Sequence, residues 1–262
     1  MSAFRYSISQ IRTYLDCPQQ YHYRYIRRVP VLAAPSLTKG IAIHQAAETA
    51  LLAKMREEDV SIADLMVFVD AQLTEAHATT EWTPEIEATV HVESQDLVAL
   101  YATQILPQIR PAAVEVPIDF TLGDVPMVGR VDVVEVDGTI RDLKTSKRKP
   151  SHHDLDASLQ ATAYWEAVRQ LGGEPPSTVI FDYLVQTKTP AAASLTTERG
   201  PQQVRELAAT VEGVVNAIEQ GHVWPNWQSP YCGHCPFQTL CHREHGLADA
   251  DATMTDTDEE VA

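Results

Sequence analysis

The sequence lacks the features that would place it in a membrane, a secretory route or a disulfide scaffold. No stretch approaches the ~18 uninterrupted apolar residues of a membrane-spanning helix. The opening residues, MSAFRYSISQIRTYLDCPQQ, have no apolar core of a secretory signal. The expectation is a cytoplasmic chain with no membrane partner. Only four cysteines occur, at Cys17, Cys232, Cys235 and Cys241, and a cytosolic chain does not rest on a disulfide framework. No internal repeat is visible. There is no GxxxxGK[ST] phosphate loop, so an ATP-driven motor would have to be another polypeptide. The absence of GxSxG and HExxH leaves serine-hydrolase and zinc-peptidase readings without support.

What is present is a globular composition. The chain has 262 residues, 44% hydrophobic and 21% charged, enough for one large domain or two small ones. Its formal net charge of −16 argues against nucleic acid only if spread evenly, and it is not. Residues 48–96 hold twelve Asp/Glu against two Lys/Arg, and residues 247–262 hold six against none, which together account for the whole −16. Residues 1–40 carry six Lys/Arg against one Asp, and residues 141–149 (RDLKTSKRK) carry five against one. Two basic strips therefore remain for a DNA-binding groove. The segment 247–262 is too acidic and too poor in large apolar residues to pack, and reads as a disordered acidic tail.

The periodicity gives a short helix capped by Ser7 or Ser9, running through Leu15 and stopped near Pro18. Helices are expected over 37–57, 61–80 and 85–106, with Pro107 and Pro111 ending that block. Strands follow at about 113–121, 127–136 and 139–145, then a helix at 155–171, a strand at 178–187 and a helix at 201–219. That order describes a mixed α/β core with a helical insertion near its N-terminus.

The densest chemistry lies in GRVDVVEVDGTIRDLKTSK, residues 129–147. Asp137-Gly138 is a hairpin signal. A three-residue loop, with Gly138 in the left-handed position, pairs Glu135 with Thr139 and hence Asp132 with Asp142. One face would then present Asp132, Asp142 and Lys144 together, because strand side chains alternate with period two. A two-residue loop would pair Asp132 with Leu143 and scatter them. Facing carboxylates repel unless a cation lies between them, and hard oxygen ligands suit Mg or Mn. An ordinary surface hairpin with one ion pair fits this segment equally well. Gln160 and Tyr164, spaced i, i+4, share a helix face. His44 sits among Ile41, Ile43, Ala46 and Ala47, as a packed core histidine or a neutral metal ligand.

Cys232, Cys235 and Cys241 supply three sulfur ligands within ten residues, and Cys17 is the remaining cysteine. Four cysteines suit structural zinc or a 4Fe-4S cluster, and His234, His242 and His245 also allow a three-cysteine zinc site without Cys17. The run YHYRYIRR, residues 21–28, interleaves rings (Tyr21, Tyr23) with cations (Arg24, Arg27, Arg28), a composition suited to single-stranded DNA or to a half-buried helix. Lys147, Arg148 and Lys149 could grip phosphates or line a solvated loop.

The ordered set His44, Gly129-x-x-Asp132, Asp142-Leu143-Lys144 and Gln160-x-x-x-Tyr164 resembles the PD-(D/E)XK nuclease superfamily. More narrowly it resembles the RecB-like branch. One cysteine upstream and three downstream look like the iron–sulfur staple of AddB-type nucleases and the CRISPR-associated exonucleases. The resemblance implies a restriction-endonuclease-like mixed sheet flanked by helices. It implies one RecB-like nuclease domain over 1–246, an insertion at about 48–110, and an Fe–S-stapled C-terminus joining Cys17 to 232–241. His44, Asp132, Asp142 and the Leu143 carbonyl would hold one or two Mg or Mn ions. Lys144 would position the attacking water, with Gln160 and Tyr164 contacting DNA or orienting the lysine. Glu115 is a possible supporting carboxylate. Cys17, Cys232, Cys235 and Cys241 would ligate a 4Fe-4S cluster. The function implied is a metal-dependent exonuclease acting on single-stranded DNA in recombination, repair or CRISPR-type processing, with a separate helicase or recombination or CRISPR protein as a possible partner. The alternative is a DNA-end-binding subunit of such an assembly with little cleavage of its own.

Overall fold

A computed structural model describes residues 4–172, 174, 176 and 178–247. The tail reading for 248–262 lies outside the described residues. The chain divides into two units, one from residues 4–8 and 32–216, the other from 9–31 and 217–247.

The chain begins with α1 (Ile8–Asp16) and α2 (Pro18–Tyr21), separated at the extended Cys17 because Pro18 cannot continue a helix but starts one well. A π-turn over His22–Ile26 follows. Three longer helices come next: α3 (Pro35–Met55), α4 (Ile62–Glu75) and α5 (Pro84–Leu100). Ser61 and Asp64 form a reciprocal capping box on α4, and Thr83 caps α5. The single helix expected over 85–106 is interrupted, since Tyr101–Ile105 winds as a π-turn and Leu106–Gln108, which contains Pro107, as a 3-10 turn. Alanines at 42, 46, 47 and 50 allow close approach of α4 and α5 to α3.

The sheet contains β1 (Pro111–Leu122), β2 (Val125–Glu135), β3 (Ile140–Ser146), β4 (Val179–Val185) and β5 (Ala191–Thr197), in that spatial order. β3 and β4 are parallel and the other neighbours antiparallel. Between β3 and β4 the chain crosses through α6 (His152–Asp156) and α7 (Leu159–Gln170). The expected continuous helix 155–171 breaks there because Ser158 caps a new one by accepting the Ala161 N–H. β5 was not expected, for its sequence AAASLTT has little of the β-branched and aromatic content of a strand. After it come α8 (Pro201–Glu219) and α9 (Gln238–Glu244).

Val133, Leu143 and Leu184 pack with α3, α4 and α5 in one core. The charged side chains on that face are buried and paired. Arg141 donates to both oxygens of Asp182 at 2.9 and 3.0 Å and also to Glu135. Ser194 on β5 completes the set by donating to Asp182.

In the second unit Tyr23, Phe237 and Cys241 form a small core. Tyr23 donates to Glu244 at 2.8 Å, and Arg27 spans both Glu244 oxygens at 2.7 and 2.9 Å. Cys17, Cys232, Cys235 and Cys241 line one pocket of about 400 Å³, partly open to solvent. They do not form a cluster cage. Among the described residues no group of three or more His, Cys, Asp or Glu side chains is arranged to hold a metal ion. Burial pushes the Cys241 thiol up to about 11 and raises Cys235 as well, with the neighbouring cysteines adding to both shifts. The expected 4Fe-4S cluster, and the Fe–S-stapled C-terminus with it, is corrected to a pocket of four free cysteines. The expected mixed sheet with flanking helices stands.

Replacing Arg141 by alanine strands two buried carboxylates, and is expected to cost about 3–5 kcal/mol in urea unfolding. A loss below about 1 kcal/mol would show that the network contributes little.

Candidate active site

The β2–β3 hairpin closes as the three-residue loop. The Glu135 N–H donates to the Thr139 carbonyl at 2.8 Å and the Gly138 N–H to the Glu135 carbonyl at 3.0 Å. Gly138 has φ +82°, where a Cβ would be strained. The paired residues are Val134 with Ile140 and Val133 with Arg141, so Asp132 stands opposite Asp142 as expected. The ladder ends there and the strands part. Into the gap goes the Asp132 carboxylate, which accepts the Leu143 N–H at 3.0 Å in place of a backbone partner. From the other layer His44, on α3, brings its Nδ1 to 3.4 Å from the same Asp132 oxygen. The His44 ring also hydrogen-bonds the Leu143 backbone.

Asp142 is 1% exposed. Its Oδ1 accepts from Gln160 Nε2 at 2.8 Å and from the Tyr164 hydroxyl at 2.8 Å. That hydroxyl also lies 3.0 Å from the Arg130 carbonyl, and its single proton serves one acceptor at a time. Lys144 Nζ lies 2.6 Å from Asp142 Oδ2 and donates to Gln160 Oε1 at 2.8 Å. The Asp142 Oδ2 contact is an ion pair without an aligned hydrogen bond, leaving that buried oxygen otherwise unpartnered. Gln160 thus holds the carboxylate with one end of its amide and the lysine with the other. The i, i+4 spacing places both Gln160 and Tyr164 against the hairpin from α7.

The electrostatics follow from burial. Asp132 is pushed far above the usual carboxylate range, to about 8, first by desolvation and then by the Asp142 charge. Burial lowers His44, with the Asp142 charge opposing and Lys144 acting in the same sense as burial, which favours the neutral imidazole a metal ligand requires. Glu115 is raised by burial and by Glu48. It sits on β1 at φ +52°, with Arg130 3.4 Å away. A pocket of about 320 Å³ is lined by His44, Glu48, Tyr101, Glu115, Asp132 and Asp182 among others.

The structure thus gathers His44, Asp132, Asp142, Leu143, Lys144, Gln160 and Tyr164, with Glu115 at the pocket wall. Lys147, Arg148 and Lys149 are exposed directly after β3, and Arg148 pairs with Asp154 at 3.2 Å. The run 21–28 belongs to the second unit. Tyr21 and Tyr23 are 2% and 1% exposed, so their rings serve packing and offer no stacking face. Arg24, Arg27 and Arg28 are exposed, with Arg24 over the Phe237 ring and Arg27 over Tyr23. Glu48 was not singled out from the sequence, though its place one turn after His44 was a usable signal. Asp182 also had one, as the lone charge inside the apolar strand VIFDYLV.

A family model described as the PD-(D/E)XK nuclease superfamily matches residues 5–242. No curated protein matches the chain. Among solved structures, a candidate exonuclease from Eubacterium rectale is similar with a TM-score of 0.57 and 11% identity, covering 98% of this chain and 91% of that one. At that identity the likeness speaks for the fold alone. A second structure, of the protein SSO0001, gives a TM-score of 0.34 and 16% identity over 74% of this chain and 95% of that one, too distant to carry an argument.

Because Asp132 keeps its proton in the folded state between roughly pH 4 and 8, the folded chain binds more protons there than the unfolded one. Its contribution to stability therefore falls as pH rises through that window. Asp132→Asn is expected to remove the fall, so that its thermal midpoint gains on the parent's from pH 5 to pH 9. A variant that loses ground with rising pH would contradict the raised carboxyl.

Proposed function

The chain belongs to the PD-(D/E)XK nuclease superfamily, and we propose that within it this protein is a Mg- or Mn-dependent deoxyribonuclease that trims single-stranded DNA ends. The observation that carries the reading is the Asp142–Lys144–Gln160 arrangement. A lysine 2.6 Å from a buried carboxylate is held by an amide, with 35% of its side chain still exposed to a substrate.

The donor set fits a hard divalent cation. Asp142 is a buried carboxylate and Asp132 a half-buried one, and burial first, with the Asp142 charge second, raises the Asp132 carboxyl. The Asp142 oxygen beside Lys144 has no aligned hydrogen bond. Mg is commonly held by one or two carboxylates together with waters and substrate phosphate, so it needs no ready-made cage of three side chains. His44, Asp132, Asp142 and the Leu143 carbonyl would hold it. When bound, the cation would offset charge on the scissile phosphate and lower the pKa of a water.

The chain's own groups do the positioning. Lys144 would orient the attacking water in line with the leaving oxygen and offset charge developing on the phosphate, leaving a 5′-phosphate. Gln160 and Tyr164 fix Asp142, so that carboxylate cannot swing away from the lysine. Exposed Lys147, Arg148 and Lys149 would hold the incoming backbone. The acidic stretch 48–96 would repel a second strand, which supports unpaired DNA as substrate. The order of the motifs supports the RecB-like branch.

Lys144→Ala is expected to lower cleavage of a labelled single-stranded oligonucleotide in Mg by about 100-fold or more, while binding of the oligonucleotide survives. Chelation by EDTA is expected to stop the parent enzyme. Undiminished cleavage in either case would overturn the proposal.

A further inference from the structure

The first two turns of α3 are inside out. Polar Thr38 and Lys39 are 6% and 4% exposed, while apolar Leu37 and Ile41 are 52% and 50% exposed. Burial preferences run the other way. The inward polar groups are satisfied. Thr38 shares a hydrogen bond with Thr80 at 2.8 Å, and Lys39 donates to Glu93 at 3.0 Å and to Gln186. These contacts fix the rotation of the helix about its axis. Leu37 and Ile41 are therefore held outward by structure built at some cost.

Leu37, Ile41, His44 and Glu48 follow at i, i+4, i+7 and i+11, a single row along one helix face. His44 in that row reaches Asp132. At ~1.5 Å per residue, Ile41 lies about 4.5 Å and Leu37 about 10 Å along the axis from His44. Gly40 marks where this stretch meets β3. A Cβ on Gly40 would come within 3.5 Å of Thr145 Oγ1, and Thr145 is the residue after Lys144. Ile41 directly follows Gly40, so the apolar pair flanks the stretch of α3 that meets β3, and the exposed cations of 147–149 follow β3 in the chain.

An apolar surface next to a row of cations complements a polynucleotide, which alternates flat apolar rings with anionic phosphates. We propose that Leu37 and Ile41 form a shelf for the nucleobases adjoining the scissile phosphate, while the backbone follows Lys144 and Lys147–Lys149. In a duplex the base faces are stacked inside, so only an unpaired strand can lay a base on the shelf. The inference rests on the proposed nuclease function and supplies its preference for single strands.

The test is binding of a single-stranded oligonucleotide, and of one of equal length lacking bases at its terminal positions, measured in the Lys144→Ala background. Leu37→Gln/Ile41→Gln is expected to weaken binding of the ordinary strand about tenfold, from lost apolar burial, and to leave the base-free strand unaffected. Glutamine is a good helix former at these exposed sites, so the helix is retained. Leu37→Met/Ile41→Met is expected to restore binding. Equal losses on both strands, or no loss on the ordinary one, would overturn the shelf. If the Lys144→Ala protein binds neither strand and the parent cuts none, the nuclease reading fails and the shelf with it.

Discussion

Two carboxylates facing each other across parting strands govern the rest of the site. Asp142 is buried and Asp132 half-buried, and burial together with the Asp142 charge holds the Asp132 carboxyl well above the usual carboxylate range. A stable hairpin would put apolar groups there. Instead the surrounding layers supply compensation: the Leu143 N–H and His44 for Asp132, and Lys144, Gln160 and Tyr164 for Asp142. These partners come from three elements distant in the chain, α3, β3 and α7. The fold can be read as the frame that brings them to one place.

That frame divides its labour between the two faces of the sheet. On one face Arg141, Glu135 and Asp182 close a buried ion network against the helical block. On the other, Asp142 and Lys144 meet α7. Both carboxylates of that network accept from Arg141, and Arg141 and Asp182 also line the pocket that holds His44 and Asp132. The set in front retains an oxygen without an aligned hydrogen bond and a lysine still open to solvent.

Much of the site was legible because a hairpin's register is local. Asp137-Gly138 fixes the loop, the loop fixes the pairing, and the pairing puts Asp132 opposite Asp142. Gln160 and Tyr164 were legible for the same reason, through helix spacing. What escaped depends on distant partners. β5 is a strand because β4 offers it an edge, and nothing in AAASLTT says so. Tyr21 and Tyr23 looked like stacking platforms because the sequence shows alternation and not which ring is covered. The cysteines mark the same limit. The fold brings four sulfurs to one pocket, and among the described residues no group of three or more side chains is arranged to hold a metal ion. The outward turn of Leu37 and Ile41 is a further case, set by the buried contacts of Thr38 and Lys39.

The proposed function requires Asp132 and Asp142 to share a divalent cation. Its most direct test is a titration of Mn into the protein in weakly buffered solution at neutral pH, reading uptake by electron paramagnetic resonance and proton release together. Mn uptake is expected with release of about one proton per chain, as the cation displaces the proton favoured on the raised Asp132 carboxyl. Both signals should be lost in Asp132→Asn. Failure of the parent to take up Mn, or uptake in Asp132→Asn equal to the parent's, would contradict it.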